Sequence, residues 1–273
     1  MHIVIDLQGA QCESRCRGIG RYSLSLARAI ARNRGGHRVT IALNSVFAAS
    51  IDPLKAAFED ILPADAIRVW QGLEGVHGRD PANGWRRQAA ECVCEAFLAE
   101  LKPDVVLVSS LFEGFADDAV TSVPSVSEGY ATAVILYDLI PLIFRDAYLT
   151  NGLVSGWYNR KLEHLCRADF LLSISASSAS EAVQHLGFPG NRITDISGAA
   201  DPKFRRIEMA DDEADRLRSV AARMLHPRTP PPFASANLPE LLQPLRHSLL
   251  SAPPDLVVLP RASAVSLPPV PPV

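Results

Sequence analysis

Short apolar runs alternate with longer amphipathic segments along the first 200 residues of the chain. The runs lie at residues 2–7, 39–43, 105–108, 133–136 and 170–174. Runs of this length are typical of strands that are buried on both faces of a sheet. Between them, apolar positions recur at spacings of three and four, which is the period of a helix. The alternation predicts an α/β fold, a Rossmann-like, doubly wound parallel sheet with helices on both faces.

Five segments show this helical period and are predicted to be helices. They are residues 18–33, 53–62, 85–101 and 178–186, and a stretch that ends near Ala168. The third segment has apolar residues at a spacing of four from Trp85 to Leu101. A short strand is also predicted at residues 67–70. Two histidines, His164 and His185, fall on predicted helices and are assigned to helix surfaces.

The character of the sequence changes after about Met209. Residues 207–226 are predicted to form a charged helix or linker. Residues 227–273 contain 13 of the 21 prolines in the chain. Because proline has no backbone N–H to donate, this segment is expected to be extended or disordered. The folded part is therefore predicted to be one Rossmann-like domain over residues 1–206.

Composition and charge exclude several classes of protein. The net charge of −3 gives no general electrostatic reason to expect nucleic-acid binding. No apolar run approaches the roughly 18–20 residues that span a bilayer, and residues 1–6 do not resemble a signal peptide. The five cysteines lack the regular spacing of a disulfide framework or a zinc site. We expect a cytoplasmic protein that holds no metal.

Two glycines, Gly18 and Gly20, open the first predicted helix between Arg17 and Arg21. Glycine lets the backbone approach a ligand, and the free N–H groups of a helix start favour an anion. A dinucleotide site needs its glycines directly after the strand and a third glycine. Here the loop is long and Ser23 takes the third position, so an NAD-binding oxidoreductase is disfavoured. A plain tight turn and a contact with phosphate or sugar remain as interpretations.

Polar residues follow three predicted strands, at the edge where open α/β sheets bind ligands. Tyr137 and Asp138 follow one strand, and a carboxylate there can accept hydrogen bonds from sugar hydroxyls or orient a nucleophile. The alternative for Asp138 is a turn-capping role, which aspartate favours. Glu113 is either a ligand contact or a solvated loop carboxylate. Ser175 can contact a ligand or cap the helix that follows it.

Four segments of the chain are distinctive, namely RGIGRYSLSLAR at 17–28, LYDLIP at 136–141, RADFLLSIS at 167–175 and DPKFR at 201–205. They stand in the order seen in retaining GT-B glycosyltransferases, which the chain therefore resembles. Over roughly residues 1–206 the chain most resembles bacterial mannosyltransferase-type enzymes of O-antigen and polysaccharide assembly, of the family 4 type. The segment SSLFEGFADDAVTSV at 109–123 is also similar to that subgroup. The resemblance implies that this domain is the N-terminal, acceptor-side half of a GT-B enzyme.

The resemblance also implies a set of ligands and contacts. The residues from Gly18 to Arg21 would line a cleft near the donor phosphates or the transferred sugar, and Asp138 would serve the reaction there. Tyr137 stands where many relatives carry histidine, which is a departure from the wider family. The substrates would be a donor nucleotide sugar, for example GDP-mannose, and an acceptor that is a glycan or a lipid-linked glycan. No cofactor or metal is implied, and peripheral contact with a membrane stays open.

A second, donor-binding domain is expected after Arg205 in this family, and its motifs do not appear in the sequence. In the family, a positive pair on that domain stabilises the leaving diphosphate. We therefore expect this chain alone to transfer little or no sugar, and to use a nucleotide sugar only if a C-terminal domain is supplied. The alternative is a non-catalytic truncated fragment or a sugar-binding module.

Overall fold

The computed structural model describes residues 1–125, 129–198 and Asp215. Apart from Asp215, the predicted charged helix or linker, the Pro-rich segment and the motif at 201–205 lie outside the described residues. The strands are β1 (His2–Asp6), β2 (Arg38–Asn44), β3 (Ile67–Trp70), β4 (Val105–Val108), β5 (Ala131–Leu136), β6 (Phe170–Ser173) and β7 (Ile193–Asp195). The helices are α1 (Gly18–Arg32), α2 (Ala48–Phe58), α3 (Gly84–Glu100), α4 (Ile140–Ile143), α5 (Arg145–Tyr148), α6 (Gly152–Arg167) and α7 (Ala176–Leu186).

These strands form one parallel sheet in the order β3-β2-β1-β4-β5-β6-β7. In the register, Val4 of β1 lies beside Thr40 of β2 on one side and Val106 of β4 on the other. The strand order reverses between β1 and β4, because β2 and β3 lie on one side of β1 and the later strands on the other. The predicted doubly wound, Rossmann-like fold is confirmed. In such sheets, ligands bind at the carboxyl ends of the strands near the reversal.

The core has two layers, one on each face of the sheet. Successive strand residues point to opposite faces, so Val4 and Ile5 belong to different layers. The layer around Ile5 includes Phe58 of α2, and the layer around Val4 includes Leu165 of α6. Because both faces are covered, the strands read as continuous apolar runs in the sequence.

The apolar pattern located most elements closely. β3 and β4 begin and end where the sequence predicts. α2 begins at Ala48, earlier than the predicted start at residue 53, and contains Pro53. Proline most often occupies the first turn of a helix, so the pattern placed the start too late. Inside α2, Pro53 has no N–H for the intrahelical hydrogen bond that another residue would make there.

One helix buries a face other than the predicted one, and another helix buries a histidine that was assigned to its surface. The stripe that predicted α3 is largely exposed, since Trp85 and Val93 are 69% and 44% exposed. The assignment of His164 to a helix surface is wrong, because the side chain is buried and its Nδ1 accepts a hydrogen bond from the backbone N–H of Val123 at 3.1 Å. His185 is exposed on α7, as predicted.

Among the described residues, no helix has the length and apolar character that a membrane crossing requires. No group of three or more His, Cys, Asp or Glu side chains in the same part of the chain could hold a metal ion. All five cysteines are free thiols. Cys12 and Cys94 are buried, whereas Cys16, Cys92 and Cys166 are exposed.

Candidate functional site

The loop between β1 and α1 occupies the carboxyl ends of β1 and β4. A Cβ atom at Gly9 would lie 2.7 Å from the Cβ of Ser110 and 3.4 Å from the Oγ of Ser109. The buried amide of Gln8 donates to the carbonyl of Val120 at 2.7 Å and accepts from its N–H at 2.9 Å. The reversal point of the sheet is therefore filled by the chain itself. A ligand at this edge must bind outside the loop.

Asp6 ends β1 underneath this loop and is buried. It accepts hydrogen bonds from the backbone N–H of Gln8 at 3.3 Å and from its Nε2 at 3.1 Å. Burial raises the pKa of Asp6 to about 6, although these hydrogen bonds and the charge of Lys161 oppose the shift. Asp6 therefore belongs to the frame of the site rather than to its open surface.

The predicted glycine loop forms the first turn of α1. Arg17 is the N-cap residue and its side chain makes no capping hydrogen bond. A Cβ at Gly18 would meet nothing within 4 Å, so the helix start is open there. A Cβ at Gly20 would lie 2.4 Å from the carbonyl oxygen of Ser14 and 2.5 Å from the Cα of Arg15. Packing requires glycine at position 20, whereas position 18 is free to face a ligand.

Arg17 and Arg21, on either side of these glycines, are both exposed. Arg17 lies 3.6 Å from the carboxylate of Glu13, and an exposed pair of this kind contributes about 1 kcal/mol or less to stability. The N–H groups at the helix start carry a partial positive charge that adds to the two guanidinium charges. This end of α1 therefore offers positive charge to a ligand.

The hydroxyl of Tyr137 is enclosed by the protein. It lies 3.0 Å from the Oγ of Ser23, 3.1 Å from the carbonyl of Ser109 and 3.3 Å from the carbonyl of Ile19. Its ring meets the ring of Tyr22 edge-on, with 5.7 Å between the centroids. Burial raises the pKa of Tyr137 above its ordinary value. Tyr137 thus ties β5 to α1 and β4, and its substrate contact stays a prediction.

Asp138 is exposed at the same edge, one residue beyond Tyr137. Its Oδ1 accepts a hydrogen bond from the backbone N–H of Ile140 at 3.1 Å. The structure therefore shows the turn-capping role. The carboxylate is also open to solvent, and its charge acts on Tyr158 of α6. Its catalytic role stays a prediction.

Replacing Asp138 with alanine is expected to lower the free energy of unfolding by about 0.5–1 kcal/mol, since one exposed hydrogen bond to Ile140 is lost. The matched variant Asp138→Asn keeps an acceptor oxygen and should keep nearly all of that stability. Urea unfolding of the two variants measures the difference. A large loss in Asp138→Asn would mean that the charge itself supports the fold, contrary to an exposed role in the site.

Glu113 is buried, so the interpretation as a solvated loop carboxylate is wrong. One carboxylate oxygen accepts from the Oγ of Ser110 at 2.8 Å and the other from the Oγ of Ser14 at 3.0 Å. Burial raises the pKa of Glu113, while these hydrogen bonds oppose the shift. Glu113 holds the turn on which Gly20 packs. Its predicted substrate contact would require this carboxylate to be uncovered.

Two further acidic residues of the same loop, Asp117 and Asp118, also hold backbone groups. Asp118 accepts hydrogen bonds from the three N–H groups of residues 75–77, at 2.8–3.0 Å. Asp117 accepts from the N–H of Glu13 at 2.7 Å. These supports were not predicted from the sequence. Three carboxylates close together after a buried strand were the signal that could have indicated them.

Ser175 is the N-cap residue of α7. Its Oγ accepts from the backbone N–H of Ser178 at 3.1 Å. The Oγ of Ser178 in turn donates to the carbonyl of Tyr137 at 2.6 Å. The structure shows the capping role of Ser175, and a ligand contact stays a prediction.

All the residues singled out for the site lie in segments at the carboxyl edge of the sheet. They divide by exposure, which decides what each can touch. Arg17, Gly18, Arg21 and Asp138 are exposed, Tyr137 and Ser175 are half-buried, and Gly20 and Glu113 are buried. The exposed members can contact a ligand directly, and the buried members position them.

Polar side chains of α6 hold the loop before β5, and this role was not predicted from the sequence either. Lys161 is 3% exposed, and its Nζ donates to the carbonyl of Thr121 at 2.6 Å. Burial lowers the pKa of Lys161 to about 8. Lys161 and His164 stand four and seven positions after Trp157, on the inward face of the helix. That spacing was the signal that could have identified them as buried.

The chain is similar in sequence to bacterial proteins of known activity. Over 221 residues, which are 81% of the chain, it is 34% identical to the serotype-specific mannosyltransferase WbdA of Escherichia coli. Another WbdA sequence from Escherichia coli is 31% identical over 196 residues, or 71% of the chain. The chain is a homologue of part of a bacterial mannosyltransferase. The resemblance inferred from the motifs is thus confirmed. The matches span only 26% and 24% of the lengths of the two WbdA sequences.

No protein-family model matches the chain. Among solved structures, Arabidopsis thaliana UGT89C1 complexed with UDP aligns with a TM-score of 0.43 and 11% identity. That alignment covers 81% of this chain and 54% of the plant protein. The glycotransferase of kitacinnamycin aligns with a TM-score of 0.37 and 12% identity, covering 77% of this chain and 54% of that one. Similarity at this level assigns no ligand.

Proposed function

We propose that this chain is a glycosyltransferase-type domain that acts in the transfer of a sugar, mannose, to a glycan or lipid-linked acceptor. The observation that carries the proposal is the 34% identity to a mannosyltransferase over 81% of the chain. The donor is a nucleotide sugar, with GDP-mannose as the first to test. The product belongs to bacterial O-antigen or polysaccharide synthesis, and the reaction takes place in the cytoplasm.

The exposed residues of the carboxyl edge supply the groups that such a reaction needs. The carboxylate of Asp138 can accept hydrogen bonds from sugar hydroxyls. Arg17 and Arg21 flank the open start of α1, and positive charge of this kind suits a phosphate group. Gly20 and Glu113 both contact the turn at Ser14 and so support the start of α1 that carries the two arginines, as a supporting layer does in a site.

The reaction also requires charge stabilisation of the leaving nucleoside diphosphate. Arg17 and Arg21 are exposed at this edge, but the resemblance places the positive pair that stabilises the diphosphate on the donor-binding domain. We therefore expect the chain alone to bind acceptor sugar but to transfer little or none. Transfer would require donor-binding residues from a further domain, and the chain spans about a quarter of the length of WbdA.

The test is a titration of the purified chain with a mannose-terminated oligosaccharide. Binding is monitored by NMR chemical shifts and by calorimetry. Asp138→Asn is expected to weaken binding by about tenfold, which is about 1.4 kcal/mol. Asp65→Asn removes an exposed carboxylate at the opposite edge, before β3, and should bind as the wild type does. Absence of binding by the wild type would contradict the proposed function.

Transfer itself is measured with radiolabelled GDP-mannose and a lipid-linked glycan acceptor. Little or no incorporation of labelled mannose is expected from the chain alone, because the leaving diphosphate would lack the charge stabilisation described above. Appreciable turnover would refute the expected inactivity of the isolated chain and would leave the proposed reaction in place.

A further inference from the structure

The outward face of α3 is apolar along most of its length. Five of the exposed residues on this helix are apolar, namely Trp85, Ala89, Cys92, Val93 and Ala96. A helix that meets only water normally carries charged and polar residues on that side. The opposite side of α3 is already buried in the core through Ala90, Cys94 and Leu98. The helix thus has a second apolar surface, which faces solvent in the part of the chain that the structure describes.

The residues of this surface, called here the α3 face, have the spacing of a helix–helix seam. Trp85, Ala89, Cys92 and Ala96 follow one another at intervals of four, three and four. This is the pattern of positions that meet when two helices pack side by side. Ala89 and Ala96 have small side chains, and the distance between two packed helices depends on the size of the side chains at the contact.

Two opposite charges stand at the ends of the α3 face. Arg86, Val93 and Glu100 are spaced by seven residues and therefore lie on one line along the helix. All three are exposed. Within the described ranges, neither Arg86 nor Glu100 has an ion-pair partner. The face is positive at its start, apolar at its centre and negative at its end.

This arrangement is complementary to itself in one orientation. If a second α3 lies antiparallel with the two Val93 side chains at the centre, Arg86 of each copy meets Glu100 of the other. The antiparallel orientation also places the opposite ends of the two helix dipoles together. A parallel pair would instead place like charges side by side at both ends.

We propose that the α3 face is a self-association surface through which two copies of this chain pair antiparallel about a two-fold axis at Val93. A two-fold dimer requires such a self-complementary patch, with residue i meeting residue j on both sides of the axis. The seam is one helix of 17 residues, about 25 Å long. One helix from each copy is expected to bury less than the usual stable interface of about 1,600 Å², so we expect a weak, reversible dimer.

Sedimentation velocity of the full chain across micromolar concentrations tests the proposal. The mass is expected to rise from 29.6 kDa towards twice that value. Val93→Glu should weaken association by about tenfold or more, since it places like charges at the centre of the seam. Phe144→Glu changes another exposed apolar residue, which is 52% exposed and lies outside α3, and should associate as the wild type does. A wild type that stays monomeric, or a Val93→Glu variant that still dimerises, overturns the proposal.

Charge exchange tests the orientation. Arg86→Glu and Glu100→Arg should each weaken the dimer, because each places like charges opposite one another. The double variant restores both pairs with reversed sign and should dimerise again. Failure of the double variant to regain association, with both single variants folded, overturns the antiparallel arrangement.

Cross-linking gives an independent measure, because only Cys92 of the three exposed cysteines lies on the α3 face. A short bis-maleimide is expected to cross-link the wild type into a dimer. Cys92→Ser should lose this product, whereas Cys166→Ser should retain it. A dimeric product that persists in Cys92→Ser would place the contact elsewhere and overturn the proposal.

Discussion

Replacing Gly20 with alanine is expected to lower the free energy of unfolding by about 3 kcal/mol or more, because the new Cβ has no room. It would lie 2.4 Å from the carbonyl oxygen of Ser14 and 2.5 Å from the Cα of Arg15. Both are backbone atoms, so neither can rotate away as a side chain would. Either the turn before α1 or the start of the helix must move.

The matched variant is Gly18→Ala, two positions earlier in the same helix. A Cβ at Gly18 meets nothing within 4 Å. Alanine also favours a helix over glycine by up to about 1 kcal/mol, so this variant should be as stable as the wild type or more stable. Urea unfolding midpoints of the two variants give the comparison. Equal midpoints would show that the turn carrying Ser14 moves without resistance, contrary to the support described for the site.

Acid is expected to destabilise the protein through His164. The Nδ1 of this residue accepts the N–H of Val123, so that nitrogen carries no proton in the folded state. Burial, followed by the charges of Lys161, Arg167 and Arg160, lowers the pKa of His164 to about 3. A carboxylate oxygen of Glu91 lies 4.0 Å from the other ring nitrogen and would favour the charged form. That carboxylate is already paired with Arg160, so the neutral ring is retained.

The sign of the effect follows from the two states of His164. The unfolded chain binds a proton on this residue near pH 6.5, whereas the folded chain does so only near pH 3. Between these values the unfolded state holds more protons, so stability falls as the pH falls. The loss between pH 6.5 and pH 4 is on the order of 3 kcal/mol. Asp6 has the opposite effect, because its pKa is raised: over part of this range it makes the folded state more stable as the pH falls.

The measurement compares wild type and His164→Asn by urea unfolding from pH 7 to pH 4. Asparagine keeps an acceptor for the N–H of Val123 but does not titrate, so the variant should lose stability less steeply in acid. The contribution of Asp6 is common to both proteins and cancels in the comparison. His185→Asn removes an exposed imidazole from α7 and controls for the loss of a histidine as such. Parallel acid profiles for wild type and His164→Asn would show that the ring accepts a proton in the folded state.

At the carboxyl edge of the sheet, the sequence indicated which segments lie there but not the contacts of each side chain. The sequence does not distinguish Gly18 from Gly20. Of the two, only Gly20 would place a Cβ against the backbone of Ser14 and Arg15. Glu113 looks like a loop carboxylate that faces solvent, but Ser14 and Ser110 surround it. These contacts join residues far apart in the chain, and a local pattern contains no information about them.

The sequence by itself determined the fold class and the family. Apolar runs at the strand positions require burial on both faces, and such runs separated by helical periods leave a doubly wound parallel sheet as the solution. The four motifs in order were sufficient for the relationship to bacterial mannosyltransferases, which the identity to WbdA confirms.

Only the tertiary structure decided which side of a helix is inside and which polar groups have partners. α3 has two apolar sides, and its periodicity could not say that Ala90 would be buried while Val93 faces solvent. His164 and Lys161 are buried because the loop before β5 offers each a backbone partner. The reason is physical: burial of a polar group is favourable only when a hydrogen-bond partner meets it, and here that partner comes from a distant part of the chain.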